Sequence, residues 1–336
     1  MSFEAVKTVM AGPVSRAVPG YAAVISAPRR IDVQRVEFRA PAAGEVRVRI
    51  EGCGVCASNL GLWLGKPWFK YPVEPGAPGH EAWGRIDALG EAVSDLAVGQ
   101  RVAMLSSHAF AEYDFAQCNE VVRLPVALDD EPFPAEPLGC AVNIFKRANI
   151  RRGETVAIVG VGFLGTLVTR LAAHAGAHVL ALSHRRSSLK LAREFGAAAT
   201  IEIHDKQQAL QNVTELTNGR GCECVIEAAG KQESLDLASE ITSERGRLVI
   251  AGYHQDGPRQ VNMQLWNWRG LDVVNAHERD PQVYIAGMRE AIAAVEAGVI
   301  DPRPLYTHTF KLPELPQAFA AMERSPEGFV KALITL

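Results

Sequence analysis

The chain has 336 residues, 48% of them hydrophobic and 22% charged, and a formal net charge of −3. That length supports two domains with cores of their own, and the near-neutral charge excludes a strong field for nucleic acid or an anionic membrane surface. No stretch reaches the roughly 18–20 apolar residues of a membrane-spanning helix, and six cysteines without a disulfide framework fit a reducing cytoplasm.

Residues 1–20 hold Glu4, Lys7, Gly12, Pro13, Pro19 and Gly20 without the apolar core of a secretory signal, and read as a loose N-terminal extension. From 21 the pattern is β-like. Apolar residues recur through 22–26, 31–33 and 36–38, and 46–50 alternates strictly as a half-exposed strand. Further short strands are predicted at 82–89, 101–105 and 111–115, with glycines and prolines between them. After Pro137, apolar strands alternate with helical spacing: 155–159, 178–182, 224–227, 247–251 and 271–275. This alternation predicts a parallel, doubly wound sheet. A last amphipathic helix is predicted at 284–297, and β character returns at 306–310 and 329–335. The expected fold class is α/β, with a Rossmann domain at 139–276 inserted between two parts, 21–138 and 277–336, of a β-rich catalytic domain. Ligands of such sheets bind beyond the carboxyl ends of the strands, so the active site is expected in the cleft between domains.

The centre of that sheet is Gly160-Val161-Gly162-Phe163-Leu164-Gly165, which follows a buried strand and opens a helix with Leu167, Val168, Leu171 and Ala172 on one face. Gly160 permits the turn, Gly162 clears space for a pyrophosphate, and Gly165 lets the helix approach the strand. The free N–H groups of the helix start then favour a diphosphate. Past the second strand, NAD-type sites place an acid that binds the ribose hydroxyls. This chain has Ser183-His184-Arg185-Arg186 instead. A small hydroxyl and two guanidinium groups suit a 2′-phosphate, so NADP(H) is expected over NAD(H). The alternative is that Arg185 and Arg186 are solvated residues at the start of the next helix.

A second stretch reads Cys53-Gly54-Val55-Cys56-Ala57-Ser58-Asn59, followed later by His80-Glu81 and by Glu136. A catalytic zinc takes three ligands from Cys, His and carboxylate and keeps one position open. One of the cysteines, His80 and Glu136 would supply it; the alternative is a buried thiol pair and an ordinary histidine.

These motifs, in this order from about residue 21 onward, resemble the zinc-dependent medium-chain dehydrogenase/reductases, most closely their polyol and threonine dehydrogenase branch. The resemblance implies a GroES-like fold for the β-rich domain. It places the catalytic zinc on Cys56, His80 and Glu136, with Glu81 and Asn59 behind the ligands and Cys53 as a packed thiol. It gives Ser58 the alcohol proton, sets Cys140 against the nicotinamide and Lys331 against the pyrophosphate, and lines the substrate pocket with Trp63, Trp68, Ser106, Ser107 and His108. The family's usual acid behind the zinc-bound histidine is here Asn59, and the histidine that often ends its proton relay is here Gly61. The region 106–125 holds only Cys118, so no structural zinc is expected. The resemblance implies hydride transfer between NADP(H) and a secondary alcohol, of polyol, sugar or cyclic type, in a homodimer or homotetramer. Two rival readings are a zinc-free NADPH-dependent reductase of the same fold, which metal analysis separates, and a catalytically silent NADP-binding protein, which turnover of any alcohol excludes.

Overall fold

A computed structural model describes residues 16–336. The chain opens with an antiparallel pair, β1 (Val18–Ala27) and β2 (Arg30–Phe38). There follow β3 (Glu45–Val55), the short helix α1 (Leu60–Trp63), β4 (Glu81–Leu89), β5 (Arg101–Leu105), β6 (Tyr113–Gln117) and β7 (Val121–Arg123). Next come α2 (Ala135–Ala148), β8 (Thr155–Val159), α3 (Phe163–His174), β9 (His178–Ser183), α4 (Arg186–Glu194), β10 (Ala199–Glu202) and α5 (Lys206–Leu216). β11 (Cys222–Glu227), α6 (Gln232–Ile241), β12 (Thr242–Ile250), α7 (Met263–Arg269) and β13 (Asp272–Asn275) complete the alternation. The last elements are α8 (Pro281–Glu296), β14 (His308–Lys311), α9 (Leu315–Arg324) and β15 (Ala332–Thr335).

The parallel sheet is six-stranded in the order β10-β9-β8-β11-β12-β13. Its central strands are buried throughout residues 156–159, 179–182 and 224–226, as strands covered on both faces must be. The chain winds outward one way from β8 and the other way from β11, so the crevice between these two strands is the switch point. The other large sheet runs β14-β15-β3-β4-β5-β7, with β6 also paired to β3. Because β15 lies antiparallel to β3, the end of the chain returns to the N-terminal lobe. One hydrophobic cluster joins Trp83, Ala103, Val122 and Leu333 of this sheet, through α2 and α8, to Val156, Ile158 and Val249 of the parallel sheet. The two lobes therefore share apolar packing across α2 and α8.

Several elements differ from expectation. β1 already begins at Val18, so Val18, Pro19 and Gly20 belong to a strand rather than to a loose extension; residues 1–15 of that extension lie outside the described residues. β10 was not foreseen, since only Ile201 of its four residues is buried and no apolar run announces it. β12 starts at Thr242 instead of 247, because Ser243, Glu244 and Arg245 hide its first half behind polar side chains. α8 starts at Pro281 because Asp280 caps it, its Oδ1 accepting the Gln282 N–H at 2.9 Å, and proline suits the first helical position. β14 and β15 begin later than predicted, at His308 and Ala332, and α9 lies between them.

Candidate active site

The turn after β8 has the geometry its glycines require. Gly160 has a φ of +100°, which side chains adopt only with strain, and a Cβ there would lie 2.8 Å from Ala229. A Cβ on Gly165 would fall 2.1 Å from the Gly160 carbonyl oxygen, so α3 reaches its strand only with glycine at this point. Gly162 faces open space, with nothing within 4 Å of an added Cβ. No side chain caps α3, and its first internal bond runs from the Thr166 N–H to the Gly162 carbonyl at 2.9 Å. The N–H groups of Phe163, Leu164 and Gly165 are thus left at an uncrowded helix start, which fits a pyrophosphate.

The end of β9 is occupied by protein. Ser183 is buried, and its Oγ accepts the Arg185 N–H at 3.2 Å. His184 lies with Nδ1 2.7 Å from the Ile203 carbonyl. Arg185 donates through Nη1 to Ser325 Oγ at 2.9 Å and to the Phe329 carbonyl at 2.7 Å. Arg186 is mostly exposed and grips both oxygens of Glu202 at 3.0 Å. Neither guanidinium is simply solvated at the helix start.

The metal stretch is assembled by strand pairing. β3 and β4 are antiparallel with Gly54 opposite Glu81, and β15 is antiparallel to β3 with Ala332 opposite Val55. Cys56 just past β3, His80 just before β4 and Lys331 just before β15 therefore arrive at one edge. The ligand atoms of Cys56, His80 and Glu81 lie within 4.8 Å of one another. Glu81 is inside this tight group rather than behind it. Glu136 stands in the same pocket, but its Oε1 accepts the Cys140 thiol at 3.2 Å, one helical turn along α2. Cys140 is thus engaged with Glu136. Cys53 is buried on β3, outside the group, and its Sγ donates to the Gly54 carbonyl at 3.4 Å.

Charges in this pocket are strongly coupled. Burial works to lower the pKa of His80, but the hydrogen bond to Cys56 and the charges of Cys56, Glu136 and Glu81 outweigh it and raise it to about 10. Burial raises the Glu136 carboxyl, the charge of His80 opposes the rise and that of Glu81 adds to it. Lys331 is buried with Nζ 2.5 Å from Glu81 Oε1 and 4.9 Å from the centre of the Phe163 ring. It therefore pairs with Glu81, not with open space above the glycine turn, and it joins the metal pocket to the first residue of α3. Glu81 Oε2 is buried without a hydrogen-bond partner. An orphaned carboxylate oxygen beside a thiol and an imidazole is a donor set that fits zinc. Gly54 makes room for it, since a Cβ there would meet Glu81 Oε2 at 1.8 Å.

Asn59 does not reach His80. The His80 Nδ1 lies 2.9 Å from the Pro78 carbonyl, and Asn59 Nδ2 donates to that same oxygen at 3.4 Å. A backbone carbonyl thus takes the role expected of the side chain, leaving Nε2 for a metal. Ser58 Oγ donates to Asn59 Oδ1 at 3.3 Å. The predicted pocket residues each have partners within the protein. Trp63 is buried, stacked on Phe319 at 5.3 Å, and donates through Nε1 to Glu323 at 3.2 Å. The Ser106 hydroxyl lies between the Asp114 carboxylate and, at 3.0 Å, the Gly79 carbonyl, with one hydrogen to give to either, and His108 bridges Ser107 and Glu74 at 2.9 Å each. Trp68 is exposed beside Phe69. Gly54, the Pro78 carbonyl and the Glu81–Lys331 pair were not read from the sequence in these roles. Gly54 was the one with a local signal, as the glycine inside Cys53-Gly54-Val55-Cys56.

A doubly wound sheet with a dinucleotide turn, joined to a β lobe whose Cys, His and Glu converge on the same cleft, defines an NAD(P)-dependent oxidoreductase. The family model for the alcohol dehydrogenase GroES-like domain matches residues 42–126, and that for zinc-binding dehydrogenases matches residues 164–294. The chain belongs to the zinc-dependent medium-chain dehydrogenase/reductase family, whose members oxidise CH–OH groups. It is 26% identical to a sorbitol dehydrogenase of Halalkalibacterium halodurans, over 90% of this chain and 95% of the relative. It is likewise 26% identical to an L-threonine 3-dehydrogenase of Bacillus subtilis, over 85% of this chain and 90% of the relative. Among solved structures, a protein described as a zinc-binding dehydrogenase from Sinorhizobium meliloti 1021, bound to NADP, superposes with a TM-score of 0.82 at 25% identity, covering 95% of this chain and all of its own. No helix among the described residues is long and apolar enough to cross a membrane.

Proposed function

We propose that the protein is a dehydrogenase of secondary alcohols, of polyol, sugar or cyclic type, using one catalytic zinc, no structural zinc, and NADP(H). The observation that carries this reading is Lys331, whose ammonium touches Glu81 in the metal pocket and lies over Phe163 at the dinucleotide turn. Metal pocket and cofactor cradle are therefore parts of one cleft. The relative named a sorbitol dehydrogenase supports a polyhydroxylated substrate, and the NADP-bound neighbour supports the cofactor.

Cys56 and His80 would hold the zinc, with Glu136 as third ligand. Glu81 is paired with Lys331 through Oε1, whereas Glu136 has no such ammonium partner among the described residues; the unpartnered Glu81 Oε2 is the competing ligand atom. The chemistry available there when metal and cofactor are bound is polarisation of an alcohol oxygen and acceptance of hydride. The Pro78 carbonyl fixes the His80 tautomer. Ser58, whose hydroxyl now donates to Asn59 Oδ1, would take the alcohol proton at Oγ while passing its own hydrogen to water or to a cofactor ribose hydroxyl. Gly162 and the start of α3 seat the pyrophosphate, and Arg185 and Arg186 serve the 2′-phosphate. β13 forms an exposed edge of the parallel sheet, through which two copies would pair as a homodimer or within a homotetramer.

The test combines metal analysis with a panel of polyols, sugars and cyclic alcohols. About one zinc per chain, and reduction of NADP by at least one secondary alcohol, are expected. Glu136→Gln should lose zinc while Glu81→Gln keeps it; the reverse pattern would assign the third ligand to Glu81. Zinc-free protein that reduces an activated double bond, or protein that turns over no alcohol, would overturn the reading.

A further inference from the structure

A segment near the C-terminus lies across the start of α4, where β9 delivers the chain to the cofactor's ribose. Glu327 Oε1 accepts the Ser187 N–H at 2.6 Å, and Ser187 Oγ in turn accepts the Gly328 N–H at 3.1 Å. The Ser187 hydroxyl and N–H hold the Glu327 carboxyl below the usual carboxylate range, and the charges of Arg185 and Arg186 add to this. Arg185 is drawn into the same contact, through Ser325 and the Phe329 carbonyl. A helix-start N–H, a hydroxyl and two guanidinium groups are the partners a phosphate monoester takes. Here the Ser187 N–H and hydroxyl hold the chain's own carboxylate, while Arg185 and Arg186 beside it are tied to Ser325, Phe329 and Glu202. Glu327 is exposed, so apolar packing does not hold it there.

We propose that Glu327 is a specificity-determining residue that stands in the place of the cofactor's 2′-phosphate, so that NADP binds by displacing it whereas NAD leaves it seated. This rests on the NADP reading given above. The site is the cofactor's own; its occupant is what is new. The acid that NAD-type enzymes place at the end of the second strand is Ser183 here, and an acid from a distant segment sits instead on the start of the next helix. Displacing Glu327 frees Arg185 from Ser325 and Phe329 as well, so the guanidinium becomes available to the phosphate that arrives.

The test is calorimetric titration of the zinc-loaded, full-length protein with NADP and with NAD. Glu327→Gln removes the competing charge at an exposed position and leaves the fold intact. It should tighten NADP by about five- to tenfold and change NAD by less than about twofold. 2′-AMP should show the same tightening in that variant, and 5′-AMP should not. Unchanged NADP binding, equal tightening of both cofactors, or weakened NAD binding would each overturn the role of Glu327. Arg185→Ala separates this from the cofactor reading. If Arg185→Ala weakens NADP selectively while Glu327→Gln has no effect, only the role of Glu327 falls. If the unmodified protein prefers NAD and Arg185→Ala changes neither cofactor, the NADP reading itself fails.

Discussion

The two sides of the cleft prepare for charge by different means. At the glycine turn the partners are backbone N–H groups and the dipole of α3, held by residues close together in sequence. At the metal pocket the partners are ionisable side chains, Cys56, His80, Glu81, Glu136 and Lys331, brought together by pairing of distant strands. The turn carries no ionisable group of its own, so it is perturbed by added volume. The pocket buries several charges at once, and an unpaired buried charge costs far more than a paired one. The turn should therefore fail at individual Cβ positions with the fold intact, and the pocket should fail through its charge balance.

The largest break in this contrast is on the pocket side. Cys56→Ala should abolish zinc binding and lower dehydrogenase activity by at least about 10³-fold, since the metal supplies several kcal/mol of transition-state stabilisation. Metal analysis and initial rates on one preparation check both. Next, Lys331→Met leaves Glu81 buried without its cation and should cost about 3–5 kcal/mol of stability in denaturant unfolding. Adding Glu81→Gln should restore part of that loss; a double variant no more stable than the single one would show that the pair is not the source. On the turn side, Gly162→Ala places its Cβ in open space and should change stability by less than about 0.5 kcal/mol. It should nevertheless weaken cofactor binding by about tenfold or more, because the methyl stands where the pyrophosphate approaches. Cofactor affinity equal to that of the unmodified protein would place the dinucleotide elsewhere. The smallest effect is expected at Asn59. Asn59→Asp would turn a carboxylate toward the Pro78 oxygen, with no N–H to give it, so zinc affinity should not rise. A gain of about 10–100-fold in a chelator titration would mean that the new carboxylate reaches His80 after all.

The same contrast explains what could be read in advance. The strand, glycine turn and helix at residues 155–174 were legible because every signal for them is local. Cys56 and His80 were legible through family resemblance, and strand pairing does bring them together. The partner of Glu81 was not, because Lys331 lies 250 residues away and no periodicity links the two. Lys331 was read as a contact for the pyrophosphate, yet burial favours the nearest opposite charge, which is Glu81. Trp63 was read as pocket lining, but its ring finds Phe319 of α9, a helix the sequence did not announce. Asn59 was read as a side-chain support of His80, and a backbone carbonyl, invisible in any motif, stands there instead. Among the elements, β10 and the front of β12 were missed where polar residues break the apolar run, and β1 where Pro19 and Gly20 disguise its start.

The central claim is that zinc bound by Cys56 and His80 serves hydride transfer to a cofactor seated on the adjacent glycine turn. The most direct measurement is the rate of NADP reduction by a secondary alcohol in protein as purified, after chelator treatment, and after return of zinc. Activity should be lost with the metal and recover fully at about one zinc per chain. Chelator-treated protein that keeps its full rate with the zinc gone would contradict it.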